Sequence, residues 1–590
     1  MSDAEFHRKL LDDTDDEGSA FNREPSLVNN KGPPHKRDSW FDRTPTFDVF
    51  GRESTFARSF TDALGLNYDS EEAWTRRLME AYAFGEEVSQ RNGDVPLPKG
   101  FARERRFWTL IFMVSAIGAF MGLVAVGFMN AVDKIPELWL NNHDYEEVED
   151  CEFNAGKPYW MAVTTGGGLL VGLIRWMTEY PDSVPGIFRD INDYHVEPKW
   201  SPITFLVSAV SLSCGASLGP EQALGNLGGG LATFVSERAT TLLDGDDKKL
   251  MVLSGMSGAL GALFPTPLLG VLMIYELGNP PRDYMEGILV LSSSALCAFV
   301  VYYFLLGYTD VHYYSTSYLL SYSWTFDLYQ CGTAFLIGIV SGIIGLTAII
   351  VIGICRQIFA RIKLRLERNK FFLNIVPPVL GGLIVGAVNV GLPLTVGDGA
   401  LVISKIIQYG YSYSGSFPEI PPDQAALLPF PLPEQPSGSL SPRLLAATAF
   451  GKLFLLGVCM NCGFVGGFVY PTILVGVIAG VMCFQLFPYL PLGFCVSCFM
   501  AAVPGSICPM PFTLACLAIF VSFNGLYQTV PIYVACVTSY TVVCGSGIFT
   551  SLQQRAIKQA EAAARAKAEK EGNFASRSPT ASSAGLSMNS

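Results

Sequence analysis

Charge is scarce in this chain. Of its 590 residues, 16% are charged, against roughly 25% in a soluble globular protein. Histidine is rarer still, with five in all. No basic face is visible, which excludes a soluble nucleic-acid binder. No nucleophile–base pair, metal-ligand cluster or phosphate loop stands in a polar segment, so an enzyme is not expected and no cofactor or metal is implied. The N-terminus has neither the apolar core of a secretory signal nor an acid-poor, Arg-rich transit pattern. Insertion is therefore expected to begin at the first apolar span.

What the chain has instead is long apolar runs. Half of it is hydrophobic. Phe107–Val132, Tyr284–Leu306 and Phe335–Cys355 each reach the roughly 20 residues that cross a bilayer. The expected fold class is an all-α polytopic membrane protein. Residues 1–100 read as a disordered acidic cytosolic tail, with a short helix near 71–87. A membrane domain follows over 101–555, then a cytosolic tail over 556–590. Much of the formal net charge of −12 comes from the N-terminal tail and from Glu146–Glu152. Basic residues cluster at Lys99, Arg103, Arg105 and Arg106, along Arg356–Lys370, and at Arg555, Lys558, Arg565 and Lys567. The positive-inside rule places all three clusters in the cytoplasm and the acidic His143–Asp150 on the opposite side. Each half then crosses an even number of times. The Pro-rich connection Phe417–Pro442 reads as a loop rather than a cap.

The 14 cysteines include two CxxC pairs, Cys459/Cys462 and Cys495/Cys498. Such spacing suits a metal or redox site. It equally suits soft packing residues in membrane helices. Packing is favoured, because no histidine or carboxylate stands near either pair in sequence.

Several apolar segments are broken or too short to span, among them Ser201–Cys214 and Gln222–Val235. Within a bilayer, broken helices persist only where protein or a watery cavity satisfies the freed backbone. The breaks also repeat. Residues 255–276 read GMSGALGALFPTPLLGVLMIYE, and residues 501–522 read AAVPGSICPMPFTLACLAIFVS. Upstream of each lies a glycine-rich break that opens an apolar helix, at Gly215–Gly225 and at Gly463–Gly476. Matching breaks in two halves point to a midplane binding site. The first turn of a helix carries unpartnered N–H groups and a positive dipole end, and it binds anions without lysine or arginine. Glycine lets ion and backbone approach closely. The competing reading is that these glycines only permit close helix packing.

Glu221 tilts the balance. It stands in the first break, in SCGASLGPEQALG, and an intramembrane carboxylate is a functional hypothesis by default. Its charge can take the place of a permeating anion, and protonation would release it. Glu276, at the end of VLMIYELG, is a second such carboxylate. It is either a proton-transfer candidate or a solvated helix end.

These residues resemble the CLC family of chloride channels and chloride/proton exchangers over roughly 105–560. The segment GKLFLLGVCMNCGFVGGFVYPTILVGVIAG (451–480) is similar to the family stretch carrying GGxFxP. PPVLGGLIVGAVNVGLPLTVGDGALVISKII and GMSGALGALFPTPLLGVLMIYE resemble further family helices. The resemblance implies a CLC-type fold of two inverted-topology halves, about 105–310 and 330–550. It implies backbone amides at Phe468 and Val469 as anion donors, and Glu221 as the gate. The gating motif GREGP is matched loosely by Gly219, Pro220, Glu221, Gln222 and Ala223. For the first motif, GSGIPE, the candidate is PDSVPGI (181–187). Anchoring on Pro185 puts Asp182 in the anion-binding position, and a one-residue shift puts Ser183 there. Phe549 falls on the pore tyrosine, so the inner constriction is expected to be apolar. The exchangers' internal proton glutamate maps to Leu277, which favours passive conduction. Only a short tail follows, so regulation through CBS domains is not expected. Chloride or a similar anion is the implied bound ion, and the lipid bilayer and a second copy, as a homodimer, are the implied partners. A passive channel leads. A proton-coupled exchanger and a transport-inactive membrane scaffold are the alternatives.

Overall fold

The computed structural model describes residues 105–140, 156–181, 186–239, 242–264, 266–278, 280–281, 284–306, 320–322, 324–414 and 440–545. The N-terminal tail with its helix near 71–87, most of the 417–442 connection and the C-terminal tail lie outside these residues. The first half carries α1 (Arg105–Leu140), α2 (Tyr159–Met177), α3 (Ile187–Asp193), α4 (Ser201–Ser213), α5 (Glu221–Arg238), α6 (Gly245–Leu263), α7 (Pro267–Leu277) and α8 (Tyr284–Leu306). The second half carries α9 (Tyr329–Leu366), α10 (Lys370–Gly391), α11 (Ala400–Ser414) and α12 (Pro442–Cys462). It continues with α13 (Val469–Leu486), α14 (Leu492–Ile507), α15 (Pro511–Val521) and α16 (Thr529–Tyr540). No named strand occurs among the described residues; the one β-bridge joins two glycines. Among the described residues, six helices are long and apolar enough to cross a membrane, and each apolar run singled out from sequence falls on one of them.

The two halves share one packing scheme. In the first, α1 packs on α8 and α6, α4 on α5, and α6 on α5, α7 and α8. In the second, α9 packs on α16 and α14, α12 on α13, and α14 on α13, α15 and α16. Two counterpart pairs, α2 with α10 and α7 with α15, also pack on each other.

The α2–α10 pair runs antiparallel. The end of α2 meets the start of α10, with the rings of Trp176 and Phe371 5.3 Å apart. At the other end, Gly156 donates to the Val390 carbonyl at 2.7 Å. The end of α7 meets the start of α15 through Glu276, which accepts from the amides of Phe512 and Thr513. The halves are therefore inverted, as the resemblance implies. The basic ends also fall together. Arg106, at the start of α1, pairs with Asp247 in the first turn of α6 and with Glu286 of α8, the latter at 3.0 Å. The segment Arg356–Lys370 ends where α10 begins, on the same side.

Small residues set the α2–α10 distance. A Cβ at Gly168 would strike the Pro378 carbonyl, and one at Gly382 would strike the Thr164 carbonyl. In a bilayer such backbone approach replaces the hydrophobic drive between helices. Gly166, by contrast, faces open space. Gly168→Ala should destabilise the protein by about 1–3 kcal/mol through overpacking, and Gly166→Ala should be neutral or better. Thermal midpoints in detergent test this. Equal midpoints for the two variants would refute the close-packing account.

Candidate anion site and gate

The two glycine breaks meet. α4 ends at Ser213, and Gly215 (φ +84°) turns the chain back. Pro220 then precedes α5, whose first residue is Glu221. In the second half, Gly463 (φ +118°) closes α12 in a left-handed cap. Pro471 stands in the first turn of α13, where its missing N–H breaks no intrahelical bond. Between these turns Gly219 and Gly467 form an antiparallel bridge. Gly219 N–H donates to the Gly467 carbonyl at 2.8 Å, and Gly467 N–H donates back at 2.7 Å.

Beside this bridge the carboxylate of Glu221 crosses from α5 to the start of α13. Val469 N–H donates to its Oε1 at 2.7 Å. The amides of Glu221 itself and of Tyr470 also face it. The side chain is 2% exposed, and its Oε2 is buried with no protein partner. A Cβ on Gly467 would collide with this carboxylate, so a bare backbone is required there. Chemically, a single negative group rests on a helix N-terminus inside an apolar protein. The dipole end and the amides favour any anion there.

Neighbouring elements hold the second break in place. Arg175 of α2, 5% exposed, donates to the Gly463 carbonyl at 3.2 Å. Ser211 Oγ of α4 accepts from Val465 N–H at 3.4 Å. The rings of Phe188, on α3, and Phe468 lie 5.5 Å apart.

Of the residues expected from sequence, Glu221, Gly219, Phe468 and Val469 come together here. Gly219 is part of the bridge, and its N–H is engaged by Gly467. Phe468 is the N-cap of α13. Asp182, Ser183 and Phe549 lie outside the described residues. Glu276 stands apart, at the end of α7. Its carboxylate caps α15, accepting from Phe512 N–H at 2.8 Å, from Thr513 N–H at 2.6 Å and from the Thr513 hydroxyl.

Sequence reading missed buried charges near the site, Arg175 and Lys452 among them. Lys452 of α12 is fully buried. Its Nζ donates to the carbonyls of Thr395 at 3.0 Å and Gly397 at 2.6 Å. The next residue, Asp398, is within electrostatic reach of both Lys452 and Glu221. The signal was available, since both residues stand inside apolar stretches where any charge is a functional candidate.

The family described as "Voltage gated chloride channel" matches residues 166–544, more than half of the chain. The chain belongs to this family. Its members are channels and transporters of anions rather than enzymes, and this protein is accordingly an integral multi-pass membrane protein. The voltage-gated ClC-type chloride channel ClcB of Salmonella typhi is 25% identical over 316 residues, covering 50% of this chain and 68% of ClcB. ClcB of Salmonella typhimurium matches to the same extent. A slow cyanobacterial Cl−/H+ antiporter of known structure is 18% identical, with a TM-score of 0.59 over 77% of this chain and 99% of that one. At that identity the likeness shows the fold alone.

Removing the Lys452 ammonium orphans two carbonyls and leaves Asp398 without its nearby cation. Lys452→Met should lower stability by about 1–3 kcal/mol per unpaired group. The double variant Lys452→Met/Asp398→Asn should recover part of the loss. Thermal midpoints of the four proteins in a double-mutant cycle measure it, and strict additivity would show that the two charges do not interact.

Proposed function

We propose that this protein is a passive anion channel, with chloride as the foremost permeant ion, gated by the Glu221 carboxylate. The observation that carries the reading is the seat of that carboxylate on the Val469 amide, beside the Gly219–Gly467 bridge. There it occupies a donor-lined position of the kind that a permeating anion needs. When Glu221 is ionised, it competes with the anion for these amides. When it is protonated, the ionic attraction is lost, the side chain leaves and an anion enters. Conduction should therefore rise as pH falls.

Passive conduction is favoured over proton coupling by two features at the end of α7. Leu277 carries no proton. The adjacent Glu276 accepts three hydrogen bonds at the start of α15, which suits a fixed cap between the halves better than a mobile shuttle. Asp182 or Ser183 is the candidate for a further anion-binding position and Phe549 for the apolar inner constriction, both outside the described residues. Both termini lie in the cytoplasm under the positive-inside rule. The working unit is a homodimer with one pore per subunit.

Anion flux from liposomes at two pH values tests the gate. The parent protein should pass more anion at low pH, with up to about a tenfold change per unit while the protonated fraction limits flux. Glu221→Ala should conduct constitutively and lose this dependence. A variant that tracks the parent at every pH removes the gate from Glu221. Uphill proton movement driven by a chloride gradient makes the protein an exchanger, and absence of flux from folded protein makes it a scaffold.

A further inference from the structure

The far end of α13 carries thiols that the anion site does not use. α13 and α14 pack on each other, and they meet backbone to backbone. A Cβ on Gly476 would strike the Phe499 carbonyl. One on Gly480 would stand 2.5 Å from Val496 Cα and 3.0 Å from the carbonyl carbon of Cys495. The two helices therefore run antiparallel. Cys483 follows Gly480 by three residues, on the same face of α13. Its thiol lies within hydrogen-bond reach of the Cys495 thiol. Spacing alone pairs Cys495 with Cys498. The fold sets a thiol from another helix against that pair, and Cys498, one turn deeper on α14, is within electrostatic reach of both. All three are free thiols. They differ in access: Cys483 is part-exposed, whereas Cys495 and Cys498 are fully buried.

The fold also sets the depth of the pair. α12 meets the end of α10 where Gly451 faces Leu392, and the middle of α10 where Cys462 faces Gly381. It therefore starts on the side away from the basic helix ends. Gln485, two residues beyond Cys483, donates to the Leu440 carbonyl just before α12 at 2.8 Å. α13 thus ends on that same side. Cys483 stands 14 residues beyond Val469, about 21 Å along the helix axis. Half of a hydrocarbon core is about 15 Å thick. With α13 starting inside the membrane, Cys483 reaches its edge, and Leu486 and Tyr489 just beyond it are exposed.

We propose that Cys483 and Cys495 are a redox modification site. A low-molecular-weight disulfide, in the solution on the side away from the basic helix ends, converts them to a disulfide that staples α13 to α14. Cys483, as thiolate, attacks one sulfur of the small disulfide. A mixed disulfide forms and one small thiolate leaves. Cys495 then gives up its proton, attacks Cys483 Sγ and expels the second small thiolate. Two protein thiols are oxidised, one small disulfide is reduced to two thiols, and the two protons lost from the protein end on them. Cys483 is the entry point because it alone of the three is accessible. Cys495 resolves the mixed disulfide because it is already in contact. The closed bond brackets the turn Phe487–Pro491 and removes chain freedom from the unfolded state. Neither thiol takes part in the gating proposed for Glu221.

The full chain in detergent tests the site. It is treated with oxidised glutathione, its remaining thiols are blocked with a maleimide, and it is digested without reduction. A linked Cys483–Cys495 peptide should appear, and dithiothreitol should abolish it. Cys483→Ser should lose the link, and Cys498→Ser should keep it. Oxidation should raise the parent's thermal midpoint by a few degrees and leave that of Cys483→Ser unchanged. No linked peptide in the parent, a Cys495–Cys498 link in its place, or glutathione held on Cys483 without closure would each overturn the proposal. A link without a rise in midpoint would overturn the staple. The parent alone decides the linkage, so a variant that fails to fold leaves the test intact, and no readout depends on anion flux.

Discussion

A carboxylate resting on the first turn of a helix, inside an apolar protein, is the contact on which the rest of this molecule depends. The start of α13 leaves amides that its own turns cannot satisfy. In hydrocarbon no water stands ready to take them. Something negative or strongly polar must sit there, and Glu221 does. In the proposed channel, the choice between that side chain and a free anion is the gate. The breaks, the prolines beside them and the bare glycines are what bring a side chain of one half onto the backbone of the other.

The glycine bridge fixes this geometry. Two hydrogen bonds between Gly219 and Gly467 lock the distance between the starts of α5 and α13, so the reach of Glu221 is set in advance. The full charges nearby serve the scaffold. Lys452 binds carbonyls of the turn after α10, and Arg175 binds the carbonyl at the end of α12. Broken helices expose carbonyls as well as amides, and these cations satisfy the carbonyls. The proposed berth keeps only partial positive charges, of the kind that let an ion bind and also leave.

Much of this was legible in the sequence, and the reasons are physical. A membrane span needs length and apolarity, so Phe107–Val132 and its like declared themselves. A broken helix needs Gly or Pro at a fixed place, so both breaks could be read, and Glu221 stood out because charge is rare there. Other features depended on side-chain direction, which spacing does not give. Glu276 read as a proton carrier or a solvated end, and its three bonds to the start of α15 could not be foreseen. Lys452 and Asp398 were visible as intramembrane charges, but nothing in the order of residues joined them.

The inverted duplication explains why one glutamate is enough. Two antiparallel halves deliver two helix starts to one level, each worth about half a positive elementary charge. Together they offset about one negative charge. The first residue of α5 is Glu221, while the first residue of α13 is Val469. A second glutamate at Val469 would place two like charges on one berth, and one of them would stay protonated. With valine there, the berth and its internal competitor are matched one to one. Under the proposed gating, a monovalent anion then enters only when Glu221 is neutral or displaced, and a single proton is sufficient to change the occupant.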